Sequence, residues 1–183
     1  MRDTKKEVIS FWFEETQPQQ WFQKSDSFDA DIRERFLVTY DMAKRDLCAD
    51  WTKDAEGVLA LCLVLDQFPR NMFRDSPKAF ETDEKILLIV KGALHKGFDH
   101  LLSPTKRRFV YMPFMHSEDI VEQRRSVELF SSMKDDDPLS YDYALKHLEV
   151  IEKFGRFAHR NEVLGRESTP EELEYLSLPG AGF

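Results

Sequence analysis

At 183 residues, with 42% hydrophobic side chains and 15 phenylalanines among them, the chain has enough apolar material for one core without disulfides or a structural metal, because folding at this length hides roughly 70% of the unfolded surface. The 26 Lys and Arg against 34 Asp and Glu leave a net charge of −8, which gives no general attraction for nucleic acid or an anionic membrane surface. No stretch reaches the roughly 20 apolar residues that a membrane span needs, and Cys48 and Cys62 are too few and too poorly spaced for a disulfide framework or a metal site, so a cytoplasmic protein with reduced thiols is expected.

The helix signals begin at Thr4. Thr4-Lys5-Lys6-Glu7 has the spacing of a capping box, and Val8, Ile9, Trp12 and Phe13 follow as an apolar stripe that Pro18 should end. Ser25-Asp26-Ser27 caps a second helix, with Phe28, Ile32, Phe36 and Tyr40 repeating every four residues. A third, from about Ala55 to Gln67, is apolar nearly all round from Val58 to Leu65 and reads as the central element, with Cys62 buried in it. Pro69 should stop it by disfavouring the helical conformation at Phe68.

Ser76-Pro77 predicts the start of a fourth helix with Phe80, Leu87, Val90 and Leu94 inward, terminated at Gly97. Ser103-Pro104 opens a fifth, which should reach Tyr111 and break at Pro113. Ser117 is the expected cap of a sixth, with Glu118 and Asp119 in its first turn. After the charged linker Lys134 to Pro138, a seventh helix is expected from Ser140 to about Phe154, with Ala144, Leu148, Ile151 and Phe154 inward and Gly155 as its C-terminal cap. Thr169-Pro170-Glu171-Glu172 opens a last short helix. No period-2 alternation competes with these signals. The expectation is therefore an all-α protein, a single domain over residues 1–183 made of antiparallel helical hairpins.

Three clusters at helix ends mix charge, amide and imidazole with large apolar residues. They are Asp66-Gln67-Phe68-Pro69-Arg70-Asn71, His116-Ser117-Glu118-Asp119, and Gly155-Arg156-Phe157-Ala158-His159-Arg160-Asn161. The first and third share a plan, each following an apolar helix and ending Arg-Asn after a Phe.

With Phe11-Trp12-Phe13, Trp21-Phe22, Phe28-Asp29, Leu65 to Asn71, Tyr111 to Glu118, Tyr143-Ala144 with His147, Phe154 to Asn161 and Leu164-Gly165-Arg166, these clusters resemble the bacterial domain-of-unknown-function family 924 over nearly the whole chain. One position departs: Ala158 stands where the family usually carries proline. The resemblance implies a fold of the tetratricopeptide-repeat-like helical class, either a superhelix or a compact bundle, and implies no activity.

Arg70, Arg156, Arg160 and Arg166 would suit a carboxylate or phosphate through bidentate hydrogen bonds. The competing reading is structural, with each arginine bonding helix-end carbonyls or a buried acid such as Asp66. His116 and His147 could act as acid-base groups with Glu118 orienting His116, and His159 would approach the same region. No His-Glu-x-x-His or comparable spacing points to a metal, no glycine loop cradles phosphate, and Ser117 lies outside a nucleophile elbow, so no cofactor is expected.

The functional expectation is a pocket for a small anionic molecule, lined by Asp66, Gln67, Arg70, Asn71, Arg156, His159, Arg160 and Asn161, with His116, Glu118 and His147 available for catalysis. The alternative is a helical adaptor that holds a peptide or protein partner in a groove. The first reading further expects the clusters around Arg70, His116 and Arg160 to meet in space.

Overall fold

The structure is a computed structural model describing residues 4–182. It is all-helical, with no strand among the described residues. Two compact units are present: residues 4–74 with 78–113, and residues 75–77 with 114–182.

In the first unit, α1 (Thr4–Ser10) runs on into a wider π-helical turn, Phe11–Glu15. The helix ends at Thr16, before Pro18, because the Thr16 hydroxyl turns back to the Trp12 carbonyl at 2.6 Å. Trp21 Nε1 donates to both of these groups at 3.0 Å. Pro18 instead opens a separate 3-10 turn. Helix α2 (Asp26–Lys44) is capped by Ser25 as expected and buries Phe28, Ile32, Phe36 and Tyr40.

Helix α3 (Ala55–Cys62) and the turn that follows it lie deep in the core, with every residue from Val58 to Leu65 at 2% exposure or less. Cys62 is fully buried, and both cysteines are free thiols. Gly57 is required at its position, because a Cβ there would lie 2.1 Å from the Trp51 carbonyl oxygen.

Pro69 does not stop this helix. The chain passes through a π turn, Leu63–Gln67, into α4 (Phe68–Met72), and Phe68 keeps helical torsions of −60° and −37°. The wider turn carries the Phe68 N–H to the Leu63 carbonyl, and the Leu65 carbonyl, which a proline at 69 cannot serve, accepts the Thr82 hydroxyl at 2.6 Å. Thr82 precedes α5 (Asp83–His95), whose start is thus later than Ser76. Ser76-Pro77 leads only into the 3-10 turn Pro77–Ala79, and the buried face of α5 is Ile86, Val90 and Ala93, with Leu87 and Leu94 at its margins. Around this frame α1 lies against α3, α2 against α4, and α3 against α5. Phe11, Trp12, Phe28, Phe36, Phe68 and Phe109 fill the centre with tilted and edge-on ring contacts.

Helix α6 (Pro104–Met115) continues through Pro113 instead of breaking there. The proline sits in the last turn, where one N–H is lost, and burial of the neighbouring Phe109 to Met115 outweighs its local preference. The boundary between the units falls just after Pro113.

The second unit is organised by a hairpin of α7 (Ile120–Ser131) and α8 (Pro138–Phe154), which pack along each other. The cap of α7 is Asp119, whose carboxylate accepts the Val121 N–H at 2.7 Å, while Ser117 Oγ accepts the Asp119 N–H at 3.2 Å. Ser117 and Glu118 therefore stay in the connection. Helix α8 starts two residues earlier than expected, with Asp137 as cap and Pro138 in its first turn. It ends at Gly155, whose φ of 70° suits glycine. Val150, Ile151 and Phe157 form the core with Ile120, Phe154 and Tyr175, and α9 (Pro170–Leu176) carries the expected Thr169–Glu172 capping box.

Candidate functional site

The first unit holds Asp66, Gln67, Arg70 and Asn71. Arg70 forks onto both oxygens of Asp83, each at 2.9 Å, and donates to the Asp66 carbonyl at 2.7 Å. Burial works against its charge, but Asp66 and Asp83 outweigh that effect and keep it firmly protonated. The fully buried Asp66 carboxylate lies 3.2 Å from Arg70 and accepts Gln67 Nε2 at 2.6 Å. Asn71 joins Arg74 on Asp29. These groups brace the ends of α4, α5 and α2 against one another, and the sequence reading missed Asp83 and Asp29 as their counter-charges.

The second unit holds the other expected residues: His116, Glu118, His147, Arg156, His159, Arg160 and Asn161. Part of this set forms a continuous hydrogen-bonded chain of two ion pairs joined by an amide. Arg166 places Nη1 2.7 Å from Glu118 Oε2 and Nη2 2.9 Å from Oε1, while its Nε donates to Asn161 Oδ1 at 2.9 Å. Asn161 Nδ2 reaches Glu172 at 3.1 Å, and Arg156 forks onto Glu172 at 2.7 and 2.8 Å. Hydrogen bonding from Arg156 overcomes burial and, with the Thr169 N–H, lowers the Glu172 carboxyl to about 2. Burial pushes the Glu118 carboxyl up, yet the Arg166 fork and the Phe157 N–H at 2.8 Å together bring it below the ordinary value. Glu118 is thus a fixed carboxylate that anchors the 155–166 segment to the start of α7. Glu172 carried no recognised signal beyond its capping-box position.

Beside this chain, two imidazoles and a guanidinium gather around the buried Phe157 ring, and a third imidazole lies next to one of them. Arg160 lies over its face with the guanidinium carbon 4.6 Å from the ring centre. The His147 and His159 rings lie 5.5 and 5.6 Å from it, and His116 is 6.5 Å from His147. Arg160 Nη2 donates to the His116 carbonyl at 3.0 Å, so the expected meeting of the His116 and Arg160 clusters takes place within this unit; the Arg70 cluster belongs to the other. His116 and His159 are partly exposed, whereas His147 is buried.

His147 Nδ1 lies 2.7 Å from the Tyr143 carbonyl and must carry the proton donated to it, leaving Nε2 as the basic nitrogen. Burial first, then the charge of His116, hold the His147 imidazole down at about 3, with Arg160 and His159 adding to the effect. Among the described residues no group of three or more His, Cys, Asp or Glu is disposed to hold a metal ion, and no helix is long and apolar enough to cross a membrane.

A structure of a protein of unknown function, ATU0120 from Agrobacterium tumefaciens, is similar to this chain at 38% identity, with a TM-score of 0.90 over 95% of this chain and 97% of that one. No curated protein matches. The family described as "Bacterial protein of unknown function (DUF924)" matches residues 8–180. With that match over nearly its whole length, the chain belongs to the DUF924 family.

Proposed function

We propose that the second unit binds a small anionic molecule among His116, His147, His159 and Arg160, and that His147 and His116 exchange a proton with it. The observation that supports this most directly is the convergence of His147, His159 and Arg160 on the phenyl ring of Phe157, with His116 beside His147, so that three imidazoles and a guanidinium from three separate stretches of chain form one cluster. His116, Arg160 and His159 each disfavour a proton on His147, so an anion seated among them would relieve mutual repulsion and draw protons into the cluster. His147 Nε2 is then the general base, and His116 is its partner. The partial exposure of His116 and His159 gives solutes a route in.

Glu118 has a supporting role in this reading, because its oxygens are taken by Arg166 and the Phe157 N–H. Arg156 and Asn161 hold the same segment through Glu172. In the first unit, Asp66, Gln67 and Arg70 are engaged with one another and with Asp83, and Asn71 with Asp29. Two free, buried thiols fit a reducing compartment such as the cytoplasm.

The reading is tested by thermal unfolding with inorganic phosphate, sulfate and simple mono- and dicarboxylates. An anion at 100 times its dissociation constant should stabilise the fold by about 2.7 kcal/mol, and Arg160→Gln should abolish the gain. A melting temperature unmoved by every anion would overturn it.

A further inference from the structure

Gln123 belongs to none of the sequence motifs, yet it is fully enclosed on α7. Its amide nitrogen donates to two backbone carbonyls, Met115 O and Ser117 O, each at 2.6 Å. These acceptors flank His116, whose own carbonyl takes Arg160 Nη2 at 3.0 Å. Three successive carbonyls at and beyond the end of α6 are therefore gripped by two side chains, Gln123 from the following helix and Arg160 from 44 residues beyond His116 in the chain. Carbonyls at a helix C-terminus lack intrahelical donors and are commonly served by water or a glycine turn. Here they are held by fixed groups, which sets the backbone of His116 and hence the direction of its Cα–Cβ bond.

The amide has one workable orientation. Rotating it by half a turn would press Oε1 against two carbonyl oxygens, so the nitrogen must face them, and Oε1 is left buried without a donor. A buried acceptor in that state is unfavourable and calls for an explanation. The placement of His116 supplies one, since catalytic and binding groups depend on neighbours that lock them within about half an ångström.

We propose that Gln123 is a positioning residue for the imidazole cluster. By holding the carbonyls of Met115 and Ser117 it sets the His116 ring beside His147, and thereby governs how tightly the cluster takes an anion. The functional half of this inference rests on the anion-site reading above; the geometric half stands without it.

Gln123→Met keeps the length of the side chain and removes both donors, while Gln123→Asn keeps the amide but cannot span the two carbonyls. Each full-length variant is titrated with inorganic phosphate by calorimetry. The His116 and His147 rings are followed by NMR, through the contact between them and the titration of His147. Both variants should keep the helical circular-dichroism spectrum, lose the His116–His147 contact, and show His147 titrating closer to the ordinary histidine value. Phosphate binding should weaken on the order of 10- to 100-fold, as when an outer-shell partner is removed from a site. A folded variant that keeps both the ring contact and the phosphate affinity overturns the proposal. If Met at this position prevents folding, the Asn variant decides. Wild type that fails to bind phosphate or any other simple anion refutes the anion-site reading, and the ring contact and His147 titration then judge Gln123 alone.

Discussion

Arg166 grips Glu118 through two parallel hydrogen bonds, at 2.7 and 2.9 Å, across 48 residues of sequence. The same carboxylate accepts the Phe157 N–H, so one acid fixes both the loop that carries His116 and the turn that carries His159 and Arg160. Glu118→Gln should lower stability by about 1–3 kcal/mol, toward the low end because the carboxylate is 28% exposed and water screens the pair. Its folded pKa lies below the ordinary 4.5, so this contribution is complete above that pH and fades as the pH falls beneath it. Urea unfolding of wild type and variant at pH 7 measures the difference, which should shrink on acidification through that range.

His147 has the opposite charge chemistry and the same sign. Its folded value of about 3 lies below the ordinary 6.5, so the folded state resists protonation more than the unfolded chain does. Its contribution is therefore complete above pH 6.5 and is lost as the pH falls toward 3. Wild type should be less stable by about 2 kcal/mol at pH 5 than at pH 7. His147→Gln should remove most of that dependence in the same urea experiment.

The Thr82 hydroxyl makes the chain's passage through Pro69 possible by serving the Leu65 carbonyl. Thr82→Val keeps the shape and leaves that buried carbonyl without its donor, at a cost of about 1–3 kcal/mol. Thr82→Ser should restore most of the loss in chemical denaturation.

Gly57→Ala tests the crowding at the start of α3. Its methyl would meet the backbone of Trp51, which is not the flexible end of a side chain, so the 49–53 turn or α3 itself must shift. Overpacking of this kind costs about 1–3 kcal/mol, and the melting temperature should fall accordingly.

Helix identity was readable wherever local chemistry acted alone. Ser25 before α2 and Gly155 after α8 do what their residue types favour. Pro69 and Pro113 misled because the rule for proline is local, while the outcome depended on the Thr82 hydroxyl, 17 residues from the Leu65 carbonyl it serves, and on the burial of α6. Ser117 and Asp119 are both good caps, and nothing nearby revealed that Asp119 would cap α7 while Glu118 turned to Arg166. In the site, His116 and Arg160 were legible as polar groups at helix ends beside large apolar residues. Their acidic counterparts were harder to see: Glu172 looked like an ordinary first-turn acid, and Asp83 fell inside the helix expected to open at Ser76, where nothing marked it as a partner for Arg70. Gln123 left a fainter trace, since with Ser126 it puts polar side chains on the buried face of α7, three residues apart.

The central claim is that the imidazole cluster takes an anion as a unit. NMR of the ring resonances of all five histidines during titration with inorganic phosphate tests it most directly. The account predicts that His116, His147 and His159 shift together along one binding curve, that His95 and His100 do not follow it, and that Arg160→Gln flattens the response. Equal small shifts at all five histidines, or none at the cluster, would contradict it.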